Sequence, residues 1–177
     1  MNKRNLILIG MPGSGKSTVG VLLAKRLGMG FVDTDLLIQQ ETGRRLQDIV
    51  DQDGYQALRQ IEEQVLLGLS VTGHVISTGG SAVYIDAAMK HLKQGGTAVF
   101  LDIPLPEVMA RIGDYSARGI SRRPDQTLAE LFDERFILYT RYADVTIQGL
   151  GLSHDEVCDA VVLQLAESLA CPPFRKR

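Results

Sequence analysis

Two periods of hydrophobic and polar residues alternate along the chain. LILIG (6–10) is a short, continuous apolar run ending in glycine, the pattern of a buried parallel strand. From Lys16 to Leu27 the spacing of Val19, Leu22, Leu23, Arg26 and Leu27 becomes helical, with Gly28 as its stop. FVDTD (31–35) reads as a second strand. A largely helical region follows over about 36–71, interrupted at Thr42-Gly43 and again at Asp53-Gly54. HVISTGG (74–80) and TAVFLDI (97–103) are the third and fourth strands, with a helix over Tyr84–Lys93 between them. Another helix starts at Pro106 and runs to about Ile112, with proline in the first turn. GDYSARGISRRPDQ (113–126) has no apolar period. Helix resumes at Thr127, where Thr127 and Glu130 match a capping box, and ends near Tyr142. ADVTI (143–147) is a fifth strand and Ser153–Leu169 a last helix, before a tail, CPPFRKR, expected to fray. Strands alternating with helices predict an α/β fold of three layers, a parallel sheet covered on both faces. Ligands then belong outside the carboxyl ends of the strands, where each chemically suggestive loop falls.

Composition adds limits. With 177 residues, 45% of them hydrophobic and 23% charged, one soluble domain spanning 1–177 is expected, with a core of ordinary size. A net charge of -2 supplies no basic field for nucleic acid. The run after the basic MNKR start is too short for a signal peptide, and no segment approaches the roughly 20 apolar residues of a membrane span. Cys158 and Cys171 have neither metal nor CxxC spacing. The expected location is the cytoplasm, with both thiols reduced.

The strongest chemical signal is GMPGSGKST (10–18). Gly10 to Ser17 fits G-x-x-x-x-G-K-[ST] between a strand and a helix, the context that makes the motif specific for nucleoside triphosphates. Gly13 and Gly15 can turn successive N–H groups toward an anion, and Ser14 and Thr18 stand in the same cradle. The helix starting at Lys16 adds its positive end. Lys16 is expected to bridge the β- and γ-phosphates of ATP, and the Ser17 hydroxyl to coordinate Mg²⁺.

In VDTD, placing Asp33 and Asp35 at alternate positions of a strand end sends both carboxylates the same way. Beside ATP, one can serve the metal and the other can accept a hydroxyl proton. The plainer reading is that Asp35 caps the following helix. Arg59, near Glu62 and Glu63, is either a surface ion pair or a guanidinium held by Glu62 for a substrate carboxylate, and helix spacing does not separate the two. STGG (77–80) either lets backbone approach a ligand or is a plain turn.

Together GMPGSGKST, FVDTD, TGRRLQDI, Arg59/Glu62, STGGSAV, the arginine-rich 111–123 segment and ERFILYTRYAD resemble the shikimate kinases, over about residues 4 to 147. The resemblance implies a five-stranded parallel sheet of order 2-3-1-4-5, a substrate-binding helical region about 35–62 and a mobile lid about 113–126. It implies transfer of the γ-phosphate of Mg²⁺-ATP to the 3-hydroxyl of shikimate, a precursor of aromatic amino acids, by a monomer. Asp35 would touch the substrate hydroxyls and act as base; Asp33 would act at the metal through water. Arg59 and Arg135 would bind the carboxylate, and Gly79 and Gly80 would line the pocket. Arg118 would reach the phosphates from the lid, and Arg111 would pack near adenine.

The chain also departs from the family pattern. Leu58 replaces a phenylalanine, GYQ an acidic helix start, Ser81 a third glycine, Gly119 a proline and Ile137 another proline. The alternative is therefore a paralogue acting on another small hydroxylated acid or sugar acid. A catalytically silent nucleotide-binding module is a third possibility, opposed by the retained Asp35, Arg59 and lid arginines. Arg118, Arg122 and Arg123 suit a loop over the transferring phosphoryl better than nucleic acid, since no aromatic residues interleave them.

Overall fold

The computed structural model describes residues 4–113 and 119–170. Its centre is a parallel sheet of five strands: β1 (Asn5–Ile9), β2 (Gly30–Asp33), β3 (His74–Ser77), β4 (Gly96–Asp102) and β5 (Val145–Gln148), in the order β2-β3-β1-β4-β5. All four pairings are parallel, with Leu6 beside Val75 and Thr97 in the central strands. The expected order holds.

Every residue of β1 is buried, because helices cover both faces. Leu6 and Leu8 point to one side. There they meet Val19 and Leu23 of α1 (Lys16–Leu27) and Val157, Cys158 and Val161 of α8 (His154–Ala170). Ile7 and Ile9 point to the other, into a core with α4 (Tyr55–Gly68), α5 (Asp86–Gln94), α6 (Leu105–Ile112) and α7 (Leu128–Tyr142). A third cluster, Ile38, Ile49, Leu58 and Val65, joins α2 (Thr34–Thr42) and α3 (Leu46–Asp53) to the outer end of α4. The breaks expected at Gly43 and Gly54 separate these three helices. Thr127 and Glu130 form the expected capping box at α7, with Thr127 N–H donating to Glu130 Oε2 over 2.8 Å.

Strand ends differ from the sequence reading, the fifth strand starting at Val145 rather than Ala143. The second stops at Asp33 rather than Asp35, and the third at Ser77 rather than Gly80. At the end of β2 a local bond competes with the strand. The Asp33 carboxylate accepts from the Asp35 N–H at 3.0 Å, capping α2, which starts at Thr34. Cys158 is buried between α8 and α1, and Cys171 lies outside the described residues. Among the described residues no helix is long and apolar enough to cross a membrane.

Candidate functional site

The carboxyl ends of β1, β2 and β3 open into a cleft of about 770 Å³. One wall is the phosphate loop between β1 and α1. Gly13 and Gly15 have φ of 80° and 93°, the left-handed region that glycine reaches without a side-chain clash. The Ser14 N–H donates to the Met11 carbonyl at 3.1 Å, and the Ser14 side chain is buried behind the loop. Lys16 Nζ donates to the carbonyls of Gly10 (2.9 Å) and Met11 (2.8 Å), so the ammonium lies folded against its own loop. Burial pushes its pKa down to about 8, partly opposed by Asp35. Gly13, Gly15, Lys16, Ser17 and Thr18 all line the cleft.

The two aspartates divide differently from the strand-alternation argument. That argument fails, because Thr34 already begins a helix. Asp33, not Asp35, caps it. The second oxygen of Asp33 accepts from Ser17 Oγ at 2.6 Å, and Ser77 Oγ stands 3.3 Å from the same hydroxyl. Asp35 is left to face the cleft from the first turn of α2. Burial, and then Asp33, raise its pKa to about 6, while Lys16 and Arg135 pull it back.

Gly79 and Gly80 are more than a turn. A Cβ on Gly79 would lie 2.3 Å from Glu62 Oε1 and 2.8 Å from Asp35 Oδ1. On Gly80 it would lie 2.6 Å from Arg135 Nη1. Both glycines make room for charged groups that crowd the cleft floor.

Glu62 does not hold Arg59. It is 1% exposed, and its Oε2 accepts from Ser81 Oγ at 2.5 Å. Oε1 is buried without a partner. Burial raises the Glu62 pKa to about 7, with Ser81 acting in the other direction. Arg59 instead turns toward Ser121, where its Nε donates to Oγ at 2.9 Å. Its guanidinium lies 3.8 Å from the centre of the Tyr84 ring and 5.1 Å from that of Tyr55. Arg135, also 1% exposed, donates from Nη2 to the Ser121 carbonyl at 2.7 Å, and its Nε has no partner. Among the described residues neither guanidinium has a carboxylate partner. Neither the surface ion pair nor the Glu62-held arginine describes Arg59.

Arg111 lines the cleft near the phosphate loop, its Nε on Glu107 at 2.8 Å. Arg118 lies outside the described residues. Three participants escaped the sequence reading. Glu62, in sequence only a partner for Arg59, sits on the buried stripe Leu58, Glu62, Val65, Leu66 of α4, where a carboxylate is out of place. Ser121 gave no signal. The Leu152–His154 strip borders the phosphate loop, with the His154 ring 3.5 Å from where a Gly15 Cβ would stand.

Comparison with known proteins gives the family. The family model described as shikimate kinase matches residues 12–166. A shikimate kinase of Mycobacterium avium (strain 104) is 38% identical over 169 residues, 93% of this chain and 95% of that protein. The solved structure of Acinetobacter baumannii shikimate kinase in complex with shikimate superposes with a TM-score of 0.84 at 32% identity, covering 94% of this chain and 96% of that one. Shikimate kinase from Aquifex aeolicus gives 0.80 at 35% identity, covering 94% and 98%. The matches span most of the chain, and it belongs to the shikimate kinase family.

Proposed function

We propose that this protein transfers the γ-phosphate of ATP to the 3-hydroxyl of shikimate, in one domain whose helical region about 35–62 binds the acceptor. The observation that carries the reading is Arg135, which lines the cleft with the phosphate loop and Asp35, together with Arg59, which stands outside that lining and meets it at Ser121, neither of them paired with a carboxylate. Two such charges in a poorly solvated place fit an acceptor that brings its own carboxylate. Gly79, whose N–H is held by Thr34 Oγ1 at 3.0 Å, and Gly80 keep the floor beside the same molecule free of side chains. A hydroxyl of the acceptor then faces Asp35.

The roles follow from position. The loop N–H groups and the α1 N-terminus bind the phosphates, and Lys16 leaves the Gly10 and Met11 carbonyls for them. Arg111 packs by the nucleobase; for Arg118, outside the described residues, and the segment about 113–126 the role at the phosphates rests on the family resemblance alone. The acceptor oxygen bonds to the γ-phosphorus, the bond from that phosphorus to the β-phosphate bridging oxygen breaks, and the hydroxyl proton passes to ionised Asp35. Ser17 Oγ and Asp33 Oδ2, 2.6 Å apart, are hard oxygen donors that suit Mg²⁺, Ser17 directly and Asp33 through water. Bound there, Mg²⁺ would neutralise charge on the β- and γ-phosphate oxygens. The same reading makes the protein a cytoplasmic monomer acting on small molecules.

The test is ADP release from Mg²⁺-ATP by purified protein, with and without shikimate. Shikimate-dependent release, strongly weakened by Arg59→Ala, is expected. ATP binding with no shikimate-dependent turnover would overturn the assignment of the acceptor and turn attention to Leu58 and Ser81.

A further inference from the structure

Ser121 is 3% exposed and lies between the Gly119 turn and α7. Its hydroxyl has one proton, and that proton goes to the Tyr55 carbonyl at 3.2 Å, an atom that can only accept. The Oγ lone pairs are therefore turned to Arg59 Nε at 2.9 Å. The Ser121 carbonyl simultaneously accepts from Arg135 Nη2 at 2.7 Å. One uncharged residue thus orients both guanidiniums.

The rest of the surroundings fixes the planes. Arg59 is stacked 3.8 Å from the Tyr84 centroid, and Arg135 lies 5.4 Å from the same ring. Arg135 Nη1 faces the Gly80 backbone, and its Nε is unpaired and buried. Glu62, the carboxylate one helical turn from Arg59, is engaged by Ser81 instead. A neutral holder has a consequence that an acidic one would not. It fixes the geometry of Arg59 without cancelling its charge, so the guanidinium stays available to an incoming anion.

We propose that Ser121 is the positioning residue for carboxylate capture: its hydroxyl sets the orientation of Arg59, and through it the affinity for the acid substrate. The inference rests on the reading of the acceptor as shikimate. It concerns binding of that acid alone, since Ser121 touches neither the phosphate loop nor Asp35.

The experiment compares Ser121→Ala and Ser121→Thr with the parent protein, measuring KM for shikimate, KM for MgATP and kcat. Losing one hydrogen bond to a charged group predicts a rise of about tenfold in the shikimate KM of Ser121→Ala. Its kcat and MgATP KM stay within about twofold, and Ser121→Thr, which keeps the hydroxyl, stays close to the parent. An unchanged shikimate KM in Ser121→Ala would overturn the proposal. So would an equal rise in both variants, which makes volume the cause, or a parallel loss in kcat and MgATP KM, which makes it structural. A parent protein without shikimate-dependent turnover would remove the underlying reading, and this inference with it, before any variant is compared.

Discussion

Ser81 and Glu62, from the loop after β3 and from α4, meet in a hydrogen bond of 2.5 Å that is the carboxylate's one contact with a donor among the described residues. A glycine at position 81 would leave the carboxylate without this bond. Glu62 takes up its proton more readily when folded than when unfolded, because its pKa rises from 4.5 to about 7. Folding stability therefore falls as pH rises through that interval. The Ser81 bond opposes the shift by favouring the carboxylate. Ser81→Ala should cost about 1–3 kcal/mol at pH 8, where Glu62 is ionised, and clearly less at pH 5, where it is protonated. Urea unfolding at the two pH values measures this, and equal losses at both would show that the bond does not depend on the charge.

Gly119 illustrates a glycine set by two requirements. Its φ is 58°, and a Cβ there would come within 2.5 Å of Leu46 Cβ, 2.6 Å of Leu46 C and 2.7 Å of Gln47 N. The Gly119 N–H also donates to Gln47 Oε1 at 2.6 Å, so the segment before Ser121 rests directly on α3. Gly119→Ala should destabilise the protein by about 1–3 kcal/mol, from strain and lost contact together. It should also raise the shikimate KM, because Ser121 lies two residues on. Chemical unfolding and steady-state kinetics check the two parts separately.

Activity should depend on pH from both sides. Asp35 must be ionised to accept the hydroxyl proton, so kcat/KM rises with pH through about 6. Asp35, once ionised, helps hold the proton on Glu62, near 7, and the acid limb belongs to the pair. On the alkaline side Lys16 loses its proton above about 8 in the free protein, which weakens its hold on phosphate. The kcat/KM for MgATP should then decline. A profile flat from pH 5 to 7 would count against Asp35 as the base.

The sheet was legible in sequence because its signals are local. Continuous apolar runs and glycine stops place β1, α1 and β4, and the capping box places α7 within a residue. The phosphate loop was legible for the same reason, its fixed positions being contiguous. The end of β2 was misread because a side chain, Asp33, captured the Asp35 N–H and started a helix early. Arg135 and Glu62 carried a usable signal as charges on buried stripes, Leu131–Arg135–Tyr139 and Leu58–Glu62–Val65. Ser121, which holds Arg59 and Arg135, carried none. Arg59 pairs with a residue 62 positions away, and only the packing of α4 against the segment before α7 decides that.

The buried carboxylates also predict a trade of stability for activity. Asp35 has its pKa raised from 3.8 to about 6 by burial and by Asp33, so at neutral pH the fold carries an ionised group whose charge costs it stability relative to the unfolded chain. The sign follows: the native state binds this proton more tightly, and stability from Asp35 falls between about pH 4 and 6. Asp35→Asn keeps the shape and removes the charge. Turnover with shikimate should fall by a factor of about 10²–10⁴, since the proton acceptor is gone, while MgATP binding by the phosphate loop persists. At pH 8 the variant should melt higher than the parent by about 2–6 °C, and the gain should vanish near pH 4, where parent Asp35 is protonated. Melting curves at both pH values, beside coupled ADP release, test this. A lower midpoint at pH 8 would mean that Lys16 and Arg135 hold the charge of Asp35 better than burial penalises it, and that its proton affinity is lower than the cleft geometry suggests.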